Sequence, residues 1–120
     1  MAASNLLNKA MSERALQAAI VEAAQALGWL VHAERPALSK KGWRTPIQGH
    51  AGFPDLVLVH VRTKYLCVWE LKSERGKPST AQWVWLETLA DMRDRRHVDV
   101  RVVRPRDLDH VLELLQKWAK

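Results

Sequence analysis

Three charged residues beside an apolar run are spaced for phosphodiester chemistry. Asp55 belongs to the dipeptide Pro54-Asp55, and Glu70 and Lys72 flank Leu71 directly after Leu66-Cys67-Val68-Trp69. A charge there is hard to explain as surface decoration, because the residues before it read as a buried strand. In a strand the side chains alternate, so Glu70 and Lys72 share one face and Leu71 points into the opposite layer. The short polar turn Arg62, Thr63 and Lys64 closes the two segments into an antiparallel hairpin and brings Asp55 close to Glu70. Two carboxylates can hold a hard divalent cation such as Mg²⁺ or Mn²⁺, with positions left for water and phosphate oxygen. Leu71 can add its backbone carbonyl. A lysine ammonium can orient the attacking water or stabilise charge on the pentavalent phosphorane. A plainer account also fits, in which charged strand ends are solvated and Pro-Asp marks a turn.

The elements that must position these residues are legible from periodicity. Ser12 caps a helix over 13–27 with the apolar stripe Leu16, Ala19, Ile20, Ala23 and Leu27, and Gly28 stops it. Residues 29–34 read as a strand, and 35–52 as a long basic loop broken by prolines and glycines. The hairpin strands cover 54–61 and 65–72, followed by a polar loop over 73–78. A helix over 79–93 turns Trp83, Leu86, Leu89 and Ala90 inward. A short strand over 98–103 ends at Pro105, and an amphipathic helix over 107–118 closes the chain. The order α-β-β-β-α-β-α predicts one α/β domain over 1–120 with a mixed sheet flanked by helices.

The flanking residues carry a resemblance. The sequence reads Gly52-Phe53-Pro54-Asp55, then Trp69-Glu70-Leu71-Lys72, then Ser79-Thr80-Ala81-Gln82, behind a first helix with an early Glu13 and Gln17. This set resembles the VRR-NUC branch of the PD-(D/E)XK nuclease superfamily, which carries G-x-P-D, E-x-K and a glutamine in the following helix. The resemblance implies a restriction-endonuclease-like αβββαβ core and a Mg²⁺- or Mn²⁺-dependent nuclease. Asp55 and Glu70 would be the principal metal ligands and Lys72 the catalytic lysine. Gln82 would help position the lysine or the substrate, and Glu13 would reach the metal directly or through water. It further implies a Holliday-junction-resolvase-like enzyme acting on branched DNA as a homodimer, from a phage or bacterial host. Ser79-x-x-Gln82 is equally a capping box, and the two roles for Gln82 stay open.

Composition agrees with a nucleic-acid partner. The formal net charge is +6, which favours a polyanion. Arg35, Lys40, Lys41, Arg44 and Lys77 can track phosphates beside the site, and Trp43 can stack on a base or a partner. Trp29, Trp69, Trp83 and Trp118 fit apolar core positions. The cluster Arg93, Arg95, Arg96 suits a solvated helix end. No apolar run nears the roughly 20 residues of a membrane span, and a cytoplasmic setting is expected. The lone Cys67 can form no internal disulfide. The five histidines lack zinc-ligand spacing, and no Walker-type loop announces a nucleotide cofactor. Two rivals remain from the sequence alone: a DNA-binding module of the same fold without hydrolysis, and a partner-binding α/β domain with solvated strand ends.

Overall fold

The computed structural model describes residues 10–34, 37–39, 42–44, 47–92 and 96–120, with the backbone alone at 37–39 and 42–44. Helix α1 runs Glu13–Ala26, and the Ser12 hydroxyl accepts the Ala15 N–H at 3.1 Å to cap it. Strand β1 follows at Trp29–Ala33, then β2 at Ala37–Ser39, β3 at Gly42–Arg44, β4 at Leu56–His60 and β5 at Leu66–Leu71. Helix α2 spans Thr80–Ala90 and strand β6 spans Val98–Val103. A 3-10 turn at Pro105–Asp107 leads into α3 at Leu108–Trp118.

The main sheet has the order β1-β4-β5-β6. β1 with β4 and β4 with β5 are antiparallel, while β5 with β6 is parallel, so the sheet is mixed. One face carries Trp29, Leu56, Leu58, Cys67, Trp69, Leu71 and Val103, and these form the core with Leu16, Ile20 and Ala24 of α1 and Val111 and Leu115 of α3. The indole N–H of Trp29 donates to the Leu115 carbonyl at 3.3 Å, tying β1 to α3. Burial pushes the Cys67 thiol's pKa up, with the Asp99 charge adding to it and Arg101 opposing, so this cysteine is an inert core residue.

Helix α2 lies on the other side, against β6. At the far edge of that side, Leu30 of β1 is 64% exposed. The turn after β4 is organised by His60. Its Nδ1 accepts the N–H groups of Arg62 and Thr63, each at 3.2 Å, and its Nε2 meets the Leu27 carbonyl at 2.8 Å. His60 therefore faces away from Asp55, as strand alternation predicts.

Two expectations need correction. Residues 35–52 are not one loop, because β2 and β3 pair antiparallel with Leu38 opposite Trp43. Three-residue strands offer too few positions for a period of two to register beside glycine and lysine. Trp83 does not point inward but is 44% exposed. The stripe Trp83, Leu86, Ala90 faces Val100 and Val102 of β6 across an open groove. β6 is the last strand of the sheet, so among the described residues no further strand covers the outer side of the indole.

Candidate active site

Asp55 sits one residue before β4 and Lys72 one residue after β5, so the site forms where the hairpin strands begin and end. The turn leading to Asp55 is held by aromatic contacts. Trp85 of α2 donates its indole N–H to the Ala51 carbonyl at 3.1 Å and meets Phe53 edge-on at 5.0 Å. Gly52 lies directly on the first turn of α2 with φ +97°, where a Cβ would come within 2.6 Å of the Ala81 backbone. The G-x-P-D glycine is therefore required by close approach and by backbone conformation together.

Asp55 Oδ2 accepts the Leu71 N–H at 2.8 Å, which fixes the carboxylate against β5. Glu70 is 1% exposed, and both its carboxylate oxygens are buried without a hydrogen-bond partner. Lys72 Nζ approaches Glu70 Oε2 at 3.3 Å, an ion-pair contact that is not directed as a hydrogen bond. Burial, and then the Asp55 charge, push the Glu70 pKa up to about 7 against the opposing pull of Lys72. A buried carboxylate with orphaned oxygens beside a second carboxylate is the donor chemistry that a hard cation satisfies.

Glu70 also ties stability to pH. Its folded-state pKa lies above the ordinary value of 4.5, so the unfolded chain loses this proton first as pH rises. The favourable contribution is present below pH 4.5 and is lost as pH rises through about 7. In EDTA, the wild type is expected to lose melting temperature relative to Glu70→Gln over that window. Parallel melts at acid, neutral and mildly alkaline pH would show it, and an unchanging difference between the two proteins would refute it.

The remaining site residues fall at varied positions. Gln82 completes a capping box, its Oε1 accepting the Ser79 N–H at 2.8 Å while Ser79 Oγ accepts the Gln82 N–H at 3.2 Å. Glu13 is exposed, and its Oε1 accepts the Ser73 N–H at 3.1 Å, one residue beyond Lys72. From the other side Arg104 donates to the carbonyls of Ser73, Glu74 and Gly76, so the loop after Lys72 is gripped at both ends of Ser73. Lys77 is exposed on that loop together with Arg75, a neighbour the sequence reading passed over. Arg35, Lys40 and Lys41 lie outside the described residues, and the side chains of Trp43 and Arg44 are likewise outside them. Glu34 was also passed over. It directly follows β1, next to Asp55, and its N–H donates to the Asp55 carbonyl at 3.1 Å. Among the described residues no three His, Cys, Asp or Glu side chains converge on one point to hold an ion.

Comparison with known proteins bears on the family and the fold. No curated protein matches the chain. A solved structure of a VRR-NUC domain is similar, with 25% identity and a TM-score of 0.57, covering 86% of this chain and 97% of that one. The mixed four-stranded sheet flanked by helices is the restriction-endonuclease-like α/β arrangement expected from the sequence. The family model of the VRR-NUC domain matches residues 4–107. With the family model matching most of the chain and a solved domain of that family matching the fold, the chain belongs to the VRR-NUC family of nuclease domains.

Proposed function

We propose that this chain hydrolyses phosphodiester bonds in DNA with a divalent cation, Mg²⁺ or Mn²⁺, held by Asp55, Glu70 and the Leu71 carbonyl. The observation that carries this reading is Glu70, a carboxylate buried beside Asp55 with neither oxygen hydrogen-bonded and the Lys72 ammonium as its one ion-pair contact among the described residues. Burying an ionised carboxylate costs several kcal/mol or more unless it is paired and hydrogen-bonded, and one lysine against the two carboxylates Glu70 and Asp55 leaves room for a further positive charge. When bound, the cation supplies Lewis acidity toward the phosphate and acidifies water.

The protein's own residues do the rest. Asp55 is oriented by the Leu71 N–H, so its position follows that of β5. Lys72, with its ammonium beside Glu70, orients the attacking water or stabilises negative charge on the phosphorane. Glu13 and Arg104 fix the main chain after Lys72 and so limit where its ammonium can go. Gln82 uses Oε1 on the helix cap, which leaves its amide NH₂ to donate to a substrate phosphate. Lys77 and Arg75, with Arg35, Lys40, Lys41, Trp43 and Arg44, make the phosphate and stacking contacts of this reading. Such contacts bind without regard to sequence and weaken with salt.

The finer reading is a homodimer that cuts branched DNA in the manner of a Holliday-junction resolvase, in the cytoplasm. Its support is the apolar, half-open flank of the fold, where Trp83 and Val84 are exposed beside the edge strand β6. The test is cleavage of a labelled four-way junction, a matched duplex and a single strand with Mg²⁺, Mn²⁺ or EDTA. Metal-dependent cutting, fastest on the junction and lost in Lys72→Ala, is the expected result. Binding without cutting under either metal would replace the nuclease with a binding module.

A further inference from the structure

The sheet register adds a third acid to the pair in the hairpin. Ala33 of β1 lies opposite Leu56 of β4, and Leu56 lies opposite Trp69 of β5. One step further toward the site, Glu34 falls opposite Asp55 and Asp55 opposite Glu70. The ladder continues that far, since the Glu34 N–H donates to the Asp55 carbonyl at 3.1 Å. Alternation extended one residue past β1 and one before β4 puts the three carboxylates in a row on one side, with Asp55 turning one oxygen to the Leu71 N–H between them. Electrostatics agree with the row. The Glu34 pKa is raised by burial first and by the Asp55 charge second, with His32 opposing, and the Glu70 pKa is raised by the same Asp55.

Like charges directly opposite one another destabilise a sheet, so a row of three needs a counter-charge. Lys72 supplies one at the Glu70 end, and at the Glu34 end His32 offsets less than burial and Asp55 add. Neighbouring strands lie about 4.8 Å apart, so the row spans roughly 10 Å. That is too wide for one small cation with ligands about 2.0–2.6 Å away, in keeping with the lack of a three-ligand cluster among the described residues. It suits two adjoining positions that share the middle carboxylate, because paired catalytic cations lie about 3.5–4 Å apart. The buried oxygens of Glu70, neither of them hydrogen-bonded, independently point to a ligand at this row.

We propose that Glu34 is a third metal-binding carboxylate of this site, holding with Asp55 a second divalent cation beside the one between Asp55 and Glu70. The proposal rests on the metal-dependent reading above and extends it from one ion to two. Asp55 becomes the shared ligand, and the Glu34 side gives the second ion a place beside the edge strand β1.

The test counts Mn²⁺ bound per full chain by equilibrium dialysis with electron paramagnetic resonance detection, in the presence of a phosphorothioate-linked DNA duplex. Two ions are expected for the wild type and one for Glu34→Gln, with the circular dichroism spectrum unchanged. Glu34→Asp, which keeps the charge on a shorter arm, is expected to retain the second ion with weaker affinity. It serves as the informative variant if the glutamine protein folds poorly. A single ion in the wild type, or two of undiminished affinity in both Glu34 variants, overturns the role of Glu34 while leaving the Asp55–Glu70 ion in place. No Mn²⁺ bound by the wild type overturns the metal-dependent reading itself, and the second ion with it.

Discussion

Asp55→Asn is expected to lower the rate of metal-dependent cleavage by about 10³-fold or more while leaving the melting temperature in EDTA no lower than that of the wild type. The two halves of this expectation have separate causes. Cation assistance contributes several kcal/mol to phosphoryl transfer, and each 1.4 kcal/mol is about tenfold in rate, so loss of a ligand charge costs several decades. Stability depends instead on the hydrogen bond from the Leu71 N–H to Asp55 Oδ2. An asparagine carbonyl can accept that bond, and removing the Asp55 charge also relieves Glu70, whose ionisation Asp55 opposes.

Asp55→Ala separates these effects. It removes the charge and the acceptor together and leaves a donor on a buried residue unsatisfied, at a cost of about 1–3 kcal/mol. For a domain of this size that is a loss of several degrees in melting temperature. Cleavage rates and EDTA melts on both variants form the measurement. Asparagine protein that cuts at the wild-type rate would remove Asp55 from the metal site. Asparagine protein that melts as low as the alanine variant would show that the Leu71 bond needs the charge.

Much of this arrangement is legible in the sequence because it is local. Glu70 stands out by following an apolar run, and a turn of three polar residues suffices to bring Asp55 back to it. The helices α1 and α3 announce themselves by apolar stripes, and the core they cover is the face that strand alternation assigns to Leu56, Leu58, Trp69 and Leu71. What stayed hidden depends on non-local register or on position in the sheet. Glu34 meets Asp55 only through the pairing of β1 with β4, and nothing in residues 29–34 announces that partner. Trp83 has correct helical spacing for a core residue, yet its helix lies over the edge strand and leaves the indole half covered. Gln82 carries two meanings in one motif, and the structure makes both bonds of the cap. Glu13 does reach the end of β5, but through the Ser73 N–H, a contact with the main chain that residue type alone does not specify.

Gly52→Ala is expected to lower both stability and activity, and Gly49→Ala is expected to spare most of each. The two glycines have nearly the same backbone, φ +97° and +100°, so both substitutions place a side chain in a left-handed conformation costing roughly 1–2 kcal/mol. Their surroundings differ. Nothing lies within 4 Å of a Cβ at Gly49, whereas one at Gly52 would fall 2.6 Å from the Ala81 carbonyl carbon, 2.7 Å from its oxygen and 2.8 Å from the Gln82 nitrogen. Those atoms are backbone in the first turn of α2, so they cannot swing aside as a flexible side chain would. Relief has to come from moving the 49–54 turn off the helix, which strains the Trp85 contacts with Ala51 and Phe53. Overpacking of this kind adds about 1–3 kcal/mol to the conformational cost. Asp55 stands three residues on, so the displacement reaches the site, where a shift of about 1 Å can cost roughly 10²-fold in rate. The contrast is read from melts and cleavage rates of the two alanine variants side by side. Equal losses at both positions would mean that backbone conformation alone accounts for the glycine of G-x-P-D. A clearly larger loss at Gly52 than at Gly49 would show that the seat of the turn on α2 is what aims Asp55 at Glu70.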